Sequence, residues 1–135
     1  MPVSYRIDQG NGIIRTRCGG NVTFEEVVDH FRVLEQDPNC PNRLDVLLDL
    51  TEMTSIPSSD QLQAVSRVIG GIEETVRFDT CAIAASSDVV FGMSRVFEVL
   101  ARKRFRTTCV FRSVDEAEAW LLSRRSPAAN INKVR

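Results

Sequence analysis

The chain is poor in histidine, the side chain most often used for general acid–base catalysis. His30 is its only histidine. It flanks the apolar face of a helix, so it reads as a partly exposed surface imidazole and not as a general base. The cysteines Cys18, Cys40, Cys81 and Cys109 contain no C-x-x-C pair, which argues against metal and redox chemistry. Three of them, Cys18, Cys81 and Cys109, lie in strand-like runs and read as packed thiols. Cys40 sits in a loop with no charged activator in view. No metal-ligand spacing, G-x-S-x-G elbow or phosphate-binding loop is present. No apolar stretch is long enough to span a membrane, and the first residues lack the apolar run of a signal peptide, so a cytoplasmic location is expected. The formal net charge of −1 supplies no basic field for nucleic acid. These absences lead us to expect a non-catalytic protein with no cofactor, no metal site and no nucleic-acid partner.

What is present is regular. At 135 residues, the chain fits one domain with a sizeable core. Val3, Tyr5 and Ile7 alternate with polar residues in strand fashion. Asp8 to Gly12 supplies turn residues that tolerate positive φ, and Ile13 to Cys18 reads as the returning strand of a hairpin. Thr23 and Glu26 form a capping box, and Val22 and Val27 the accompanying hydrophobic staple. The helix they open carries Phe24, Val27, Val28, Phe31 and Leu34 on one face and should end near Asp37, before Pro38. Leu44 to Leu50 is apolar on both faces, as in a strand covered on two sides. Ser58 and Gln61 make a second capping box, and the helix behind it is predicted from about Ser59 to Glu74. Gly70-Gly71 inside that helix marks close packing or an early helix end, with a hinge as the alternative.

Thr80 to Ala85 reads as another buried strand. A helix over roughly Asp88 to Arg104 follows, with Val89, Met93, Val96, Phe97 and Leu100 as its expected core face and Phe91, Arg95 and Arg102 turned away. Arg102-Lys103-Arg104 should complement its dipole. The last strand is Thr107 to Phe111, and Ser113 and Glu116 make a third capping box that opens a final helix with Val114, Ala117, Trp120 and Leu121 on its apolar face. The expected fold is α/β: ββαβαβαβα, a mixed sheet with an N-terminal hairpin and parallel strands joined by right-handed helical crossovers. One domain over 1–125 and a loose tail over 126–135 are expected.

Two segments resemble known proteins. Val46-Leu-Leu-Asp-Leu-Thr with Ile56-Pro-Ser-Ser-Asp is similar to the STAS strand ending in Asp-Leu and its helix-opening Asp-Ser-Ser-Gly. Ser87-Asp-Val-Val-Phe-Gly-Met-Ser-Arg with Val110-Phe-Arg-Ser-Val-Asp-Glu-Ala-Glu-Ala-Trp-Leu121 is similar to the Phe-Gly-Met-x-Arg helix and the Phe-Arg-x-x-x-Glu-Ala-x-x-Trp-Leu ending of the SpoIIAA-like family. That family comprises small bacterial proteins related to STAS domains and, in fold, to CRAL-TRIO lipid carriers. By position, the resemblance makes Ser59 the serine that antagonists present for phosphorylation, with Ser58 its neighbour. Pro57 and Asp60 depart from the motif, and capping is the competing role of both serines.

The segment around Phe91 and Met93 follows a strand end, near where Asp49 and Thr51 should lie. Open α/β sheets bind ligands at that edge. Asp49, Thr51, Ser86, Ser87, Phe91 and Met93 are therefore the candidate ligand-binding residues. Phe91, Arg95, Arg102, Lys103 and Arg106 are the candidate contacts to a membrane or another acidic partner, as an alternative to ordinary surface ion pairs. The implied function is a carrier or sensor of a small apolar or lipid-like ligand, with peripheral membrane contact. The alternative is a STAS-type interaction switch at Ser59. A homodimer through the Phe91 surface is a further candidate.

Overall fold

The computed structural model describes residues 2–130, with side chains up to residue 124. The chain opens with β1 (Val3–Asp8) and β2 (Ile13–Gly20), paired antiparallel from Val3↔Cys18 to Asp8↔Ile13. Gly12 turns the hairpin at φ 65°, a left-handed conformation that glycine adopts without a Cβ penalty. Helices and strands then alternate: α1 (Phe24–Gln36), β3 (Arg43–Met53), α2 (Ser59–Gly71), β4 (Arg77–Ala84), α3 (Asp88–Leu100), β5 (Thr107–Phe111) and α4 (Val114–Asn130). The expected element order is the observed one. The strands lie in chain order across the sheet, and every pairing after the hairpin is parallel.

This order decides where the helices go. Each right-handed crossover steps to the next strand in the same direction, so α1, α2 and α3 fall side by side on one face. After β5 no strand remains to be reached, and α4 folds back over β3, β4 and β5 on the other face.

Strand alternation then sorts the apolar residues into two cores. Ile14, Cys18, Leu44, Val46, Leu50, Cys81 and Ile83 face the three helices. Ile13, Leu47, Ala82 and Ala84 face α4, which meets them with Ala117 and Leu121. The alanines allow α4 a close approach.

One irregularity keeps this sorting intact. The β3–β4 register shifts between Leu44↔Phe78 and Val46↔Cys81, so β4 carries an extra residue. Phe78 and Cys81 would otherwise face opposite sides, yet both join the three-helix core. The buried Asp45 carboxylate lies at the shift and accepts a hydrogen bond from the Thr80 amide at 3.1 Å.

Two of the three predicted capping boxes, Thr23 with Glu26 and Ser58 with Gln61, are formed in full. At the third, the Ser113 hydroxyl accepts from the Glu116 amide at 3.2 Å, half of the box. Three helix ends differ from expectation. First, α2 stops at Gly71 and not at Glu74. A methyl group on Gly70 would fall 2.6 Å from Cζ of Arg104, whose Nε donates to the Ser66 carbonyl at 2.8 Å. The glycine pair thus marks both close packing and a helix end.

Second, α3 stops at Leu100, with no basic residue in its last turn. Arg104 serves α2 instead of the α3 dipole. The buried face of α3 is also rotated from the expected one: Val90, Ser94, Phe97 and Ala101 are buried, whereas Val89 is 61% exposed and Val96 44%. A valine-rich helix carries apolar residues around much of its circumference, so the pattern alone did not fix its rotation. Third, α4 runs through Ser126 to Asn130, into the stretch expected to be a tail. The rest of that stretch, 131–135, lies outside the described residues.

Candidate functional site

Between the sheet and the helices α1, α2 and α3 lies a cavity of about 400 Å³. Its floor is the front face of the sheet, from Ile14, Thr16 and Cys18 on β2 through Leu48 to Ile83 on β4. Its roof is built by Phe31 on α1, Val65 and Ile69 on α2, and Met93 and Phe97 on α3. Every wall side chain is apolar or uncharged. The helices that form the roof rest on one another and on the edge strands β1 and β5. That arrangement leaves room over the middle of the sheet.

The cavity opens toward the carboxyl edge of the strands, where Thr23, Ser55, Ile56, Pro57 and Gln61 line it. Ile56 is 50% exposed there. Ser55 ties the two loops at this edge together. Its hydroxyl accepts from the Val22 amide at 2.9 Å and donates to the Val22 carbonyl at 3.1 Å.

Size decides whether this is an ordinary packing defect. A space this large, left dry, would forgo far more packing than the truncation of a single core side chain does. Apolar cavities do not hold water well, because water needs polar partners. The volume also falls in the range of about 300–1,000 Å³ found for small-molecule pockets.

His30 is partly exposed, as expected, and it also lines this cavity. Its ring meets the edge of Tyr5 at 5.3 Å and lies 5.0 Å from Phe31. Burial pushes its pKa down to about 4, so the ring is neutral near pH 7. The thiols in the wall are equally inert. Burial, helped by Asp49, pushes Cys18 up to about 11, and burial raises Cys81 as well. Cys40, outside the cavity, is also raised, by burial and then by Asp37. None of these shifts favours the reactive thiolate.

The sequence-predicted ligand residues fall in three places. Met93 lines the cavity. Asp49 and Thr51 share a face with Ala84 and Arg17, so the sheet separates them from Met93. The Asp49 carboxylate accepts from the Thr51 amide at 2.9 Å and from its hydroxyl at 2.6 Å. Ser86 donates to the Thr51 carbonyl at 3.1 Å, and Ser87 caps α3 by accepting from the Val90 amide at 3.2 Å. These four residues join the end of β3 to the start of α3.

Phe91 is half-buried under the guanidinium of Arg112, 4.1 Å from the ring centre. Arg112 in turn holds Asp88 at 2.8 Å. Phe91 therefore lies outside the cavity wall.

The candidate membrane-contact residues extend along α3 and past its end. Phe91 is in the first turn of α3, while Arg102 and Lys103 lie past its end at Leu100, which is about 14 Å further along at ~1.5 Å per residue. Arg95 pairs with Glu98 at 3.2 Å, and Arg106 with Asp79 at 3.0 Å. Of the candidate phosphorylation residues, Ser58 is the α2 cap, its oxygen accepting from the Gln61 amide at 3.2 Å. Ser59 is exposed in the first turn.

Most of the cavity wall went unnoticed in the sequence. Thr16, Cys18, His30, Val65 and Ile69 sit at ordinary core-facing positions, and a hollow core has the same periodicity as a filled one. The only compositional hint is the use of valine at Val27 and Val65, where larger side chains would fill the space. Among the described residues, no group of three or more His, Cys, Asp or Glu is arranged to hold a metal ion. None of the described helices is long and apolar enough to cross a membrane.

The fold is SpoIIAA-like. The chain is similar to the crystal structure of an uncharacterised protein of the DUF3478 family, described as having a SpoIIAA-like fold, from Shewanella loihica PV-4. The TM-score is 0.58 at 19% sequence identity, over 88% of this chain and 91% of that one. No model of a known protein family matches the chain, and no curated protein does.

Proposed function

We propose that the protein is a non-catalytic carrier or sensor that holds a small apolar or amphipathic ligand in the cavity between α1, α2, α3 and the sheet. The supporting observation is the uncharged, apolar cavity of about 400 Å³ open at the strands' carboxyl edge. A catalytic role has no comparable support. The titratable groups in the wall, His30, Cys18 and Cys81, are all held in their neutral forms. Peripheral membrane contact through Phe91, Arg95, Arg102, Lys103 and Arg106 has weaker support, because these residues are dispersed along α3 and partly ion-paired. A homodimer through α3 is favoured by the exposed Val89, Val96 and Val99, which form one stripe.

Native mass spectrometry of gently purified protein, followed by organic extraction, tests the carrier reading. The expected result is one apolar or amphiphilic molecule per chain, absent from a Val65→Trp variant whose indole fills the cavity. A chain that purifies apo and takes up no added hydrocarbon dye would sink it.

A second reading, a regulatory switch at Ser59, is supported by placement. The exposed Ser59 stands between Pro57 and Gln61, both at the cavity opening. A phosphate mass on Ser59 in the same spectrum would favour it.

A further inference from the structure

The chemistry of the wall restricts the occupant beyond "apolar". No aspartate, glutamate, lysine or arginine lines the cavity. A carboxylate or phosphate enclosed there would have no countercharge, which costs far more than enclosing a hydrogen-bonded hydroxyl. At the opening, acidic side chains offset the preference of the α1 and α2 N-termini for an anion. Glu25 and Glu26 lie in the first turn of α1 and Asp60 in the first turn of α2, beside the lining residues Thr23 and Gln61. An anionic head left at the mouth would meet these like charges.

Two polar groups in the wall have unused hydrogen-bonding capacity. Thr16 projects from β2 on the same face as Ile14 and Cys18 and is only 5% exposed. Neither its hydroxyl nor the His30 ring nitrogens have a hydrogen-bond partner among the described residues. The two belong to one side of the cavity, because both are neighbours of Tyr5. Thr16 is the cross-strand partner of Tyr5, and His30 packs on its ring edge. Tyr5 itself is engaged elsewhere, donating to Asp37 at 2.6 Å. A neutral imidazole offers one donor and one acceptor, and a threonine hydroxyl offers both. Together they can receive a hydroxyl or a carbonyl oxygen.

We propose that the cavity takes an uncharged ligand whose hydroxyl or carbonyl end is received by Thr16 and His30, and that it rejects the carboxylate of the same chain. The proposal rests on the apolar-cavity reading above and adds a specificity to it.

The test uses diphenylhexatriene, a pure hydrocarbon dye that needs no polar partner, displaced by decanol or by decanoate at neutral pH. The expected result is dye binding to the full chain, with decanol displacing it at a concentration about tenfold lower than decanoate or better. Thr16→Val keeps the shape of the side chain and removes its hydroxyl. It should weaken decanol by about tenfold relative to the dye, which needs no polar partner. His30→Phe should act in the same direction. Equal displacement by decanol and decanoate, or variants that bind decanol as the parent does, would overturn the specificity and leave the apolar reading standing. A protein that carries no co-purified ligand and still binds no dye would overturn both.

Discussion

His30 is neutral because burial removes much of its ring from water. Its folded pKa of about 4 lies below the ordinary 6.5, since burial disfavours the imidazolium. As pH falls, the unfolded chain takes up the proton first. The stability that depends on the neutral ring is therefore complete above about 6.5 and is lost as pH drops toward about 4. A shift of this size corresponds to ~3 kcal/mol at 1.36 kcal/mol per unit, discounted to ~2 kcal/mol because the ring is only half-buried. His30→Phe should flatten the loss of stability across that window, measured as urea midpoints at successive pH values. An unchanged slope would show that the imidazole is solvated. The hydrogen-bonded carboxylates Asp8 and Asp37, held below their usual range, are common to parent and variant. Nothing in the sequence pattern reveals this environment. It places His30 beside an apolar helix face, but the ring that encloses it belongs to Tyr5, on another element.

Caps and strand edges were the legible features at the scale of elements, because their signals are local. Thr23 with Glu26 and Ser58 with Gln61 each act within one helical turn, and both boxes formed. The rotation of α3 was not legible, because it depends on which face the sheet and α2 accept. Gly92 illustrates the outcome. It lies on the exposed side of α3, with open space where a Cβ would be. Gly92→Ala should therefore stabilise the protein by up to ~1 kcal/mol, raising the melting temperature by a few degrees. Gly70→Ala should not share that gain. Its methyl group would displace the Arg104 guanidinium and weaken its bond to the Ser66 carbonyl, a loss of ~1 kcal/mol or more. Thermal melts of the two variants, opposite in sign or clearly unequal, check this. Equal gains would mean that Arg104 moves aside without cost.

On the scale of the whole molecule, the two faces of the sheet are built differently. The α4 face is closed by small residues, Ala82, Ala84 and Ala117, that bring helix and strands together. The three-helix face spans a hollow. Topology was readable from the alternation of periodicities, since strand order and crossover handedness leave few choices. The hollow was not readable, because volume is a property of side chains from many elements taken together. It has a mechanical consequence. Compression favours whichever state occupies less space, and an empty interior vanishes when the chain unfolds. The ligand-free protein should therefore be unusually sensitive to hydrostatic pressure, with an unfolding volume near the large end of the ~20–100 mL/mol range. The same protein with its interior occupied should resist. High-pressure fluorescence or NMR with and without decanol would read that difference, and identical pressure midpoints would mean that nothing enters the space beneath α1, α2 and α3.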